Sequence, residues 1–226
     1  MTRQLPLALD HTPSHAREDL AVGTANAEAL AWIDAWPRWT MPALVLCGPQ
    51  GSGKSHLASI WRQRADALVL DLAIAIETIA RDARRAFLLE DVDGALASTE
   101  AGERALLHAY NLVVQGGGSL LLTARELPRG WPMRLPDLRS RMLALPVAEL
   151  RTPDDAMIAA VLGKLFADRQ LAPDPDVIAF VVARTERSFA RLAQIVAALD
   201  QAALAAHREL TVPFVRRTLA ASGLIE

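Results

Sequence analysis

One stretch of eight residues constrains this chain more than any other. Gly48-Pro49-Gln50-Gly51-Ser52-Gly53-Lys54-Ser55 fits the pattern G-x-x-x-x-G-K-[ST] in full. It follows the apolar run Leu44-Val45-Leu46-Cys47 and leads into Lys54-Ser55-His56-Leu57-Ala58, which reads as the opening of a helix. Strand, glycine loop and helix in that order let backbone N–H groups converge on phosphate oxygens, with the positive end of the helix behind them. Pro49, Gln50, Gly51, Ser52, Gly53, Lys54, Ser55 and His56 therefore form a candidate site for ADP or ATP. Lys54 is expected to reach the β- and γ-phosphates, and Ser55 to place its hydroxyl on Mg²⁺.

A phosphate loop needs an acid on a neighbouring strand to organise the metal. Phe87-Leu88-Leu89-Glu90-Asp91-Val92-Asp93 supplies an apolar strand that ends in carboxylates. Glu90 and Asp91 are the candidates for holding Mg²⁺ and polarising an attacking water, while Asp93 reads as a turn residue before Gly94. The apolar run Ser119-Leu120-Leu121-Leu122-Thr123 ends in a polar residue, and Thr123 is a candidate for orienting that water. Arg139-Ser140-Arg141 stands before a strand expected at Leu143 to Val147, where an arginine can project from an edge of the molecule.

Short, almost wholly apolar runs at Leu44 to Cys47, Ala67 to Leu70, Phe87 to Leu89, Ser119 to Thr123 and Leu143 to Val147 have the look of strands buried on both faces. Helical patterns alternate with them, which predicts a parallel, doubly wound α/β sheet. After Leu150 the strands stop. Asp154 to Arg169, Asp174 to Thr185, Ser188 to His207 and Val212 to Ala221 read as helices, with Asp154 and Ser188 as caps and Pro175 and Pro213 in first turns. The expected organisation is an extended arm over residues 1–16, an α/β domain over 17–150 and a helical domain over 151–226. Aromatic residues make up only 5% of the chain, which favours helices and small-residue packing over a β-sandwich.

Charge and polarity exclude some classes. A formal net charge of -2 provides no global basic field, so direct DNA contact is expected to be weak or indirect. The single cysteine, Cys47, cannot form an intramolecular disulfide and reads as a small buried hydrophobe. No apolar stretch approaches ~20 residues and the first residues lack a signal-peptide core, so the expectation is a cytoplasmic protein without a membrane span.

In combination these motifs resemble the AAA+ ATPases, and within them the DnaA/Hda branch. Asp19-Leu20-Ala21-Val22-Gly23 resembles the segment that lines the adenine pocket, which makes Val22 and Gly23 candidate nucleotide contacts. Gly48 to Ser55 is similar to Walker A, Leu88-Leu89-Glu90-Asp91 to Walker B, and Leu122-Thr123-Ala124-Arg125 to the sensor-1 strand. Leu138-Arg139-Ser140-Arg141 resembles the box that carries the arginine finger, which falls on Arg141. Ser188-Phe189-Ala190-Arg191-Leu192 resembles the sensor-2 helix, with Arg191 as the candidate phosphate contact. The chain departs from the pattern in places. Glu90 stands where Walker B usually begins with Asp, Arg125 replaces an acid, and Ala190 occupies the strict sensor-2 position, with Arg191 one residue on and Arg187 a turn earlier.

The resemblance implies an AAA+ P-loop NTPase fold: a five-stranded parallel sheet flanked by helices, with a small all-helical lid. It implies a negative regulator of DNA replication initiation that promotes ATP hydrolysis by DnaA and is itself a weak ATPase, with a homo-oligomer as a further possibility. Gln4-Leu5-Pro6-Leu7-Ala8-Leu9 resembles a sliding-clamp-binding peptide, in which Gln4, Leu5, Leu7 and Leu9 would dock. The rival readings are a self-sufficient P-loop ATPase such as a helicase loader, a small-molecule kinase, and a nucleotide-dependent adaptor with an inert finger.

If the arm is a docking peptide outside the core, replacing Gln4 and Leu7 together with Ala abolishes retention by the clamp in a pull-down and leaves thermal stability unchanged. Retention of the double variant would overturn the assignment. A fall in stability would mean that the arm packs into the core.

Overall fold

The computed structural model describes residue 17, residues 20–96 and residues 100–225; the Gln4 to Leu9 motif lies outside them. The α/β part begins with α1 (Ala27–Ala35), β1 (Ala43–Cys47), α2 (Lys54–Ala65), β2 (Leu68–Leu70) and α3 (Ala75–Arg81). It continues through β3 (Ala86–Leu89), α4 (Val92–Leu96), α5 (Glu100–Gly116), β4 (Ser119–Ala124), α6 (Pro136–Ala144) and β5 (Val147–Glu149). Four helices follow: α7 (Asp155–Ala167), α8 (Pro175–Val182), α9 (Phe189–Ala206) and α10 (Val212–Ala221).

The five strands form one sheet in the order β2-β3-β4-β1-β5, and every pairing is parallel, as expected. Successive residues of β1 point to opposite faces. Val45 and Cys47 join Phe87, Leu120 and Leu122 in a core against Ile79, Leu106, Val113 and Met142. Leu44 and Leu46 join Leu88 and Leu121 in a second core against Ile33, Leu57 and Trp61. With both faces covered, no polar residue can alternate along the strand, and the run is apolar throughout. The registers Leu46↔Thr123 and Leu89↔Leu122 bring the C-terminal ends of β1, β3 and β4 to one edge, where ligands bind in open α/β sheets.

The helices α7 to α10 close around a third core that includes Ile158, Leu162, Phe166, Val181, Ile195 and Leu219. Among the described helices, α9 alone is long and apolar enough to cross a membrane. Here its Leu192, Ile195, Val196 and Leu199 are buried among the neighbouring helices.

Three sequence expectations are corrected. The fifth strand is Val147–Glu149, not Leu143 to Val147, because the preceding apolar residues belong to α6. Pro136 opens that helix, Leu138 and Met142 on one face enter the core, and Leu143 is left 48% exposed. Pro146 then cannot donate to a ladder, but its carbonyl accepts the Val45 N–H at 3.1 Å and starts the pairing. Asp93 lies in the first turn of α4 rather than in a turn before Gly94. Ser188 precedes α9 but makes no capping bond, whereas the Asp154 carboxylate accepts the Met157 N–H at 2.8 Å.

Candidate nucleotide site

The phosphate loop wraps around its own lysine. Lys54 is buried, and its Nζ donates to the Gly48 carbonyl at 2.7 Å and to the Pro49 carbonyl at 2.9 Å. An ammonium has three donors, so two bonds fix its direction and a third remains for a ligand. Burial lowers the Lys54 pKa from the usual lysine value, and the Asp91 carboxylate is the strongest influence in the opposite direction. Gly53 stands before α2 and offers no side-chain acceptor to the amides of its first turn. The Ser52 hydroxyl is buried without a partner among the described residues. Uncapped helix amides, a directed ammonium and an orphaned hydroxyl fit a polyphosphate.

The loop glycines also answer to the lid. Gly51 and Gly53 have φ of 76° and 97°, a region that favours glycine. A Cβ on Gly51 would lie 2.1 Å from the Ser188 Oγ, and one on Gly53 would lie 3.2 Å from the Phe189 ring. The Phe189 N–H donates to the Gly51 carbonyl at 3.0 Å. Ser188, read in the sequence as a cap, is thus the residue that seats α9 on the loop.

At the ends of β3 and β4, the Asp91 N–H donates to the buried Thr123 Oγ1 at 3.0 Å, and Asp91 has a φ of 48°. Asp93 accepts the backbone N–H of Arg125 at 2.8 Å and of Glu126 at 3.1 Å, which fixes the chain just beyond Thr123. A cavity of about 320 Å³ opens here, lined in part by Asp91, Asp93, Arg125 and Glu126. Glu90 and Ser55 are exposed. No cluster of three or more His, Cys, Asp or Glu suited to a metal occurs among the described residues. Mg²⁺ in nucleotide sites is characteristically held by one or two carboxylates plus phosphate oxygens, so Ser55, Glu90 and Asp91 have suitable donors. Cys47, at the end of β1, is buried, and burial, followed by the Glu149 carboxylate, pushes its thiol up to about 11. It is protonated at neutral pH and unsuited to nucleophilic chemistry.

The other predicted residues fall into three places. Val22 is 55% exposed, and a Cβ on Gly23 would sit 3.6 Å from the Met157 sulfur of α7, so this segment lies against the start of the helical part. Buried Asn26 fixes it by accepting the Gly23 N–H at 2.9 Å and donating to the Ala21 carbonyl at 2.8 Å. Arg191 lines a cleft of about 640 Å³ with residues 183–186 and 223–225, none of which belongs to the phosphate loop. Arg187 pairs with Asp155 at 2.9 Å, and Ala190 is exposed. Arg141 lies in the last turn of α6, where its Nε donates to Asp137 at 3.2 Å and its guanidinium stands 5.8 Å from the Tyr110 ring centre. Asp93 and Asn26 were not anticipated as site-building residues, since each acts through backbone partners that no local motif reveals.

Comparison with known proteins defines the fold. Domain III of the Thermotoga maritima replication initiation protein DnaA superposes with a TM-score of 0.77 at 18% identity, covering 93% of this chain and 97% of that one. AMPPCP-bound DnaA from Aquifex aeolicus gives 0.67 at 16% identity, over 81% of this chain and 63% of that one. The Thermotoga maritima RuvB Holliday junction branch migration motor gives 0.67 at 14% identity, over 85% and 65%. An uncharacterised protein of Haemophilus influenzae is 26% identical over 236 residues, covering 97% of this chain and 99% of that one. The fold is that of the AAA+ P-loop proteins, with a five-stranded parallel sheet and a helical lid region. Residues 155–219 match the family model of the Hda lid domain. That lid match joins a base with the fold of DnaA domain III, and the two together resemble an Hda-type arrangement.

Substitution of Gly51 by Ala sets a Cβ against Ser188 and forces a strained φ, so denaturant unfolding should show a loss of about 2 kcal/mol or more. Adding Ser188→Gly relieves the clash and recovers part of the loss, leaving the backbone term. A Gly51→Ala chain as stable as the parent would contradict the seating of α9 on the loop.

Proposed function

We propose that this chain is a nucleotide-binding AAA+ regulator of DNA replication initiation. Docked on the sliding clamp in the cytoplasm, it engages ATP-bound DnaA and promotes hydrolysis of DnaA's ATP. The observation that carries this reading is the Hda lid match over residues 155–219 on a base with the fold of DnaA domain III.

The chain's own site serves as a structural centre in this proposal. The loop amides and Lys54 hold the phosphates of ADP or ATP, Ser55 with Glu90 and Asp91 holds Mg²⁺, and Val22 with Gly23 flanks the base. A bound nucleotide with Mg²⁺ would supply the phosphate and metal charge that these residues are suited to hold. The chain's own hydrolysis is slow, a reading supported by Arg187 pairing with Asp155 and Arg191 lining a cleft that excludes the loop. Catalysis is exerted on the partner. Arg141 is partly exposed on α6, and its guanidinium stabilises the charge that builds on DnaA's γ-phosphate oxygens in the transition state. An arginine supplied from a neighbouring subunit accelerates such hydrolysis by ~10³–10⁵-fold.

The test is phosphate release from ATP-loaded DnaA with the clamp loaded on DNA. Arg141→Ala should bind ADP and clamp like the parent yet lose stimulation by about 10³-fold or more. Arg139→Ala should stimulate like the parent. The reverse result would shift the finger to Arg139. Full stimulation by both variants, with clamp binding intact, would make the chain an adaptor.

A further inference from the structure

The helix that carries Arg141 is held by α5 near both of its ends. Glu103 of α5 is 2% exposed, and its Oε2 alone accepts two backbone N–H groups, those of Arg134 and Leu135, each at 2.8 Å. These residues lead directly into Pro136, the first residue of α6. Seven residues along, two turns later and on the same side of α5, the buried Tyr110 presents its ring to the Arg141 guanidinium. Asp137, four residues before Arg141, accepts from its Nε, the nitrogen nearest the helix.

A carboxylate is a costly group to bury, and an apolar side chain would fill the space under α6 without that cost. What the carboxylate adds is direction. Two amides converging on one charged oxygen fix where the segment enters α6, and hence where the last turn of α6 points. A free arginine samples many rotamers, whereas one held by a carboxylate at its inner nitrogen and by a ring against its face is confined before any partner arrives.

We propose that Glu103, Tyr110 and Asp137 form a brace that presets Arg141 for the partner's nucleotide, with Glu103 a positioning residue acting through the start of α6. This rests on the reading of Arg141 as a finger acting on DnaA. Displacement of a catalytic group by about 1 Å can cost on the order of 10²-fold in rate. The brace therefore acts on the rate within the complex and not on its formation.

The experiment titrates the full chain into ATP-loaded DnaA with the clamp on DNA, reading the plateau rate and the half-saturating concentration separately. Glu103→Ala should lower the plateau by about 10-fold or more, with the half-saturating concentration and ADP affinity unchanged. Glu103→Gln keeps an oxygen able to accept both N–H groups and should restore most of the plateau, a rescue that loss of a generic contact would not show. Asp137→Ala removes an exposed side chain without touching the core and should lower the plateau several-fold, so it decides the matter if Glu103→Ala does not fold. Parental plateaus for Glu103→Ala and Asp137→Ala, beside an inactive Arg141→Ala, would overturn the brace and leave the finger standing. Full stimulation by Arg141→Ala would overturn the finger and the brace with it.

Discussion

The bond from the Phe189 amide to the Gly51 carbonyl joins the two halves of this molecule at the point where its chemistry is expected. One such bond contributes only about 1 kcal/mol net, but its position matters more than its strength. At the same place Gly51 has a positive φ, Ser188 occupies the space where a Cβ would stand, and the first turn of α9 meets the loop that cradles Lys54. A side chain added at Gly51 would therefore meet the helical lid directly.

The parallel sheet makes this contact possible. Because β1, β3 and β4 end at one edge, the loop after β1, the acids after β3 and Thr123 at the end of β4 share one neighbourhood. Asp91 is tied by its amide to Thr123, Asp93 ties down the amides of Arg125 and Glu126, and the Asp91 charge is felt at Lys54. Side chains that look like independent motif positions thus form one connected set, as preorganisation of a charged ligand site requires. The Arg141 helix lies outside this set and is held by α5, a division that suits the proposed action on a partner's nucleotide.

Local patterns carried much of this into the sequence. The glycine loop was legible because its eight residues are contiguous and sit between an apolar strand and a helix. The strands β1, β3 and β4 were legible because burial on both faces leaves an unbroken apolar run, whereas the edge strand β2 is apolar although its Leu68 and Val69 are exposed. β5 was obscured because Met142 faces the core from α6, Leu143 is apolar though exposed on that helix, and Leu145 is buried just past its end. Glu103 was invisible for a different reason: its partners are backbone amides of Arg134 and Leu135, about thirty residues away, and a backbone amide leaves no mark on the sequence. Ser188 had the right residue type for a cap, but the space beside Gly51 decided its role.

The central claim, that the glycine loop with its buried lysine is a nucleotide site, is tested most directly by calorimetric titration of ADP into the parent chain and Lys54→Ala. Circular dichroism would confirm that both are folded. Removing the ammonium that Gly48 and Pro49 aim into the loop should weaken ADP binding by about 2 kcal/mol, or roughly 30-fold, or more. Equal affinity in the two chains, or no binding by the parent, would contradict the account.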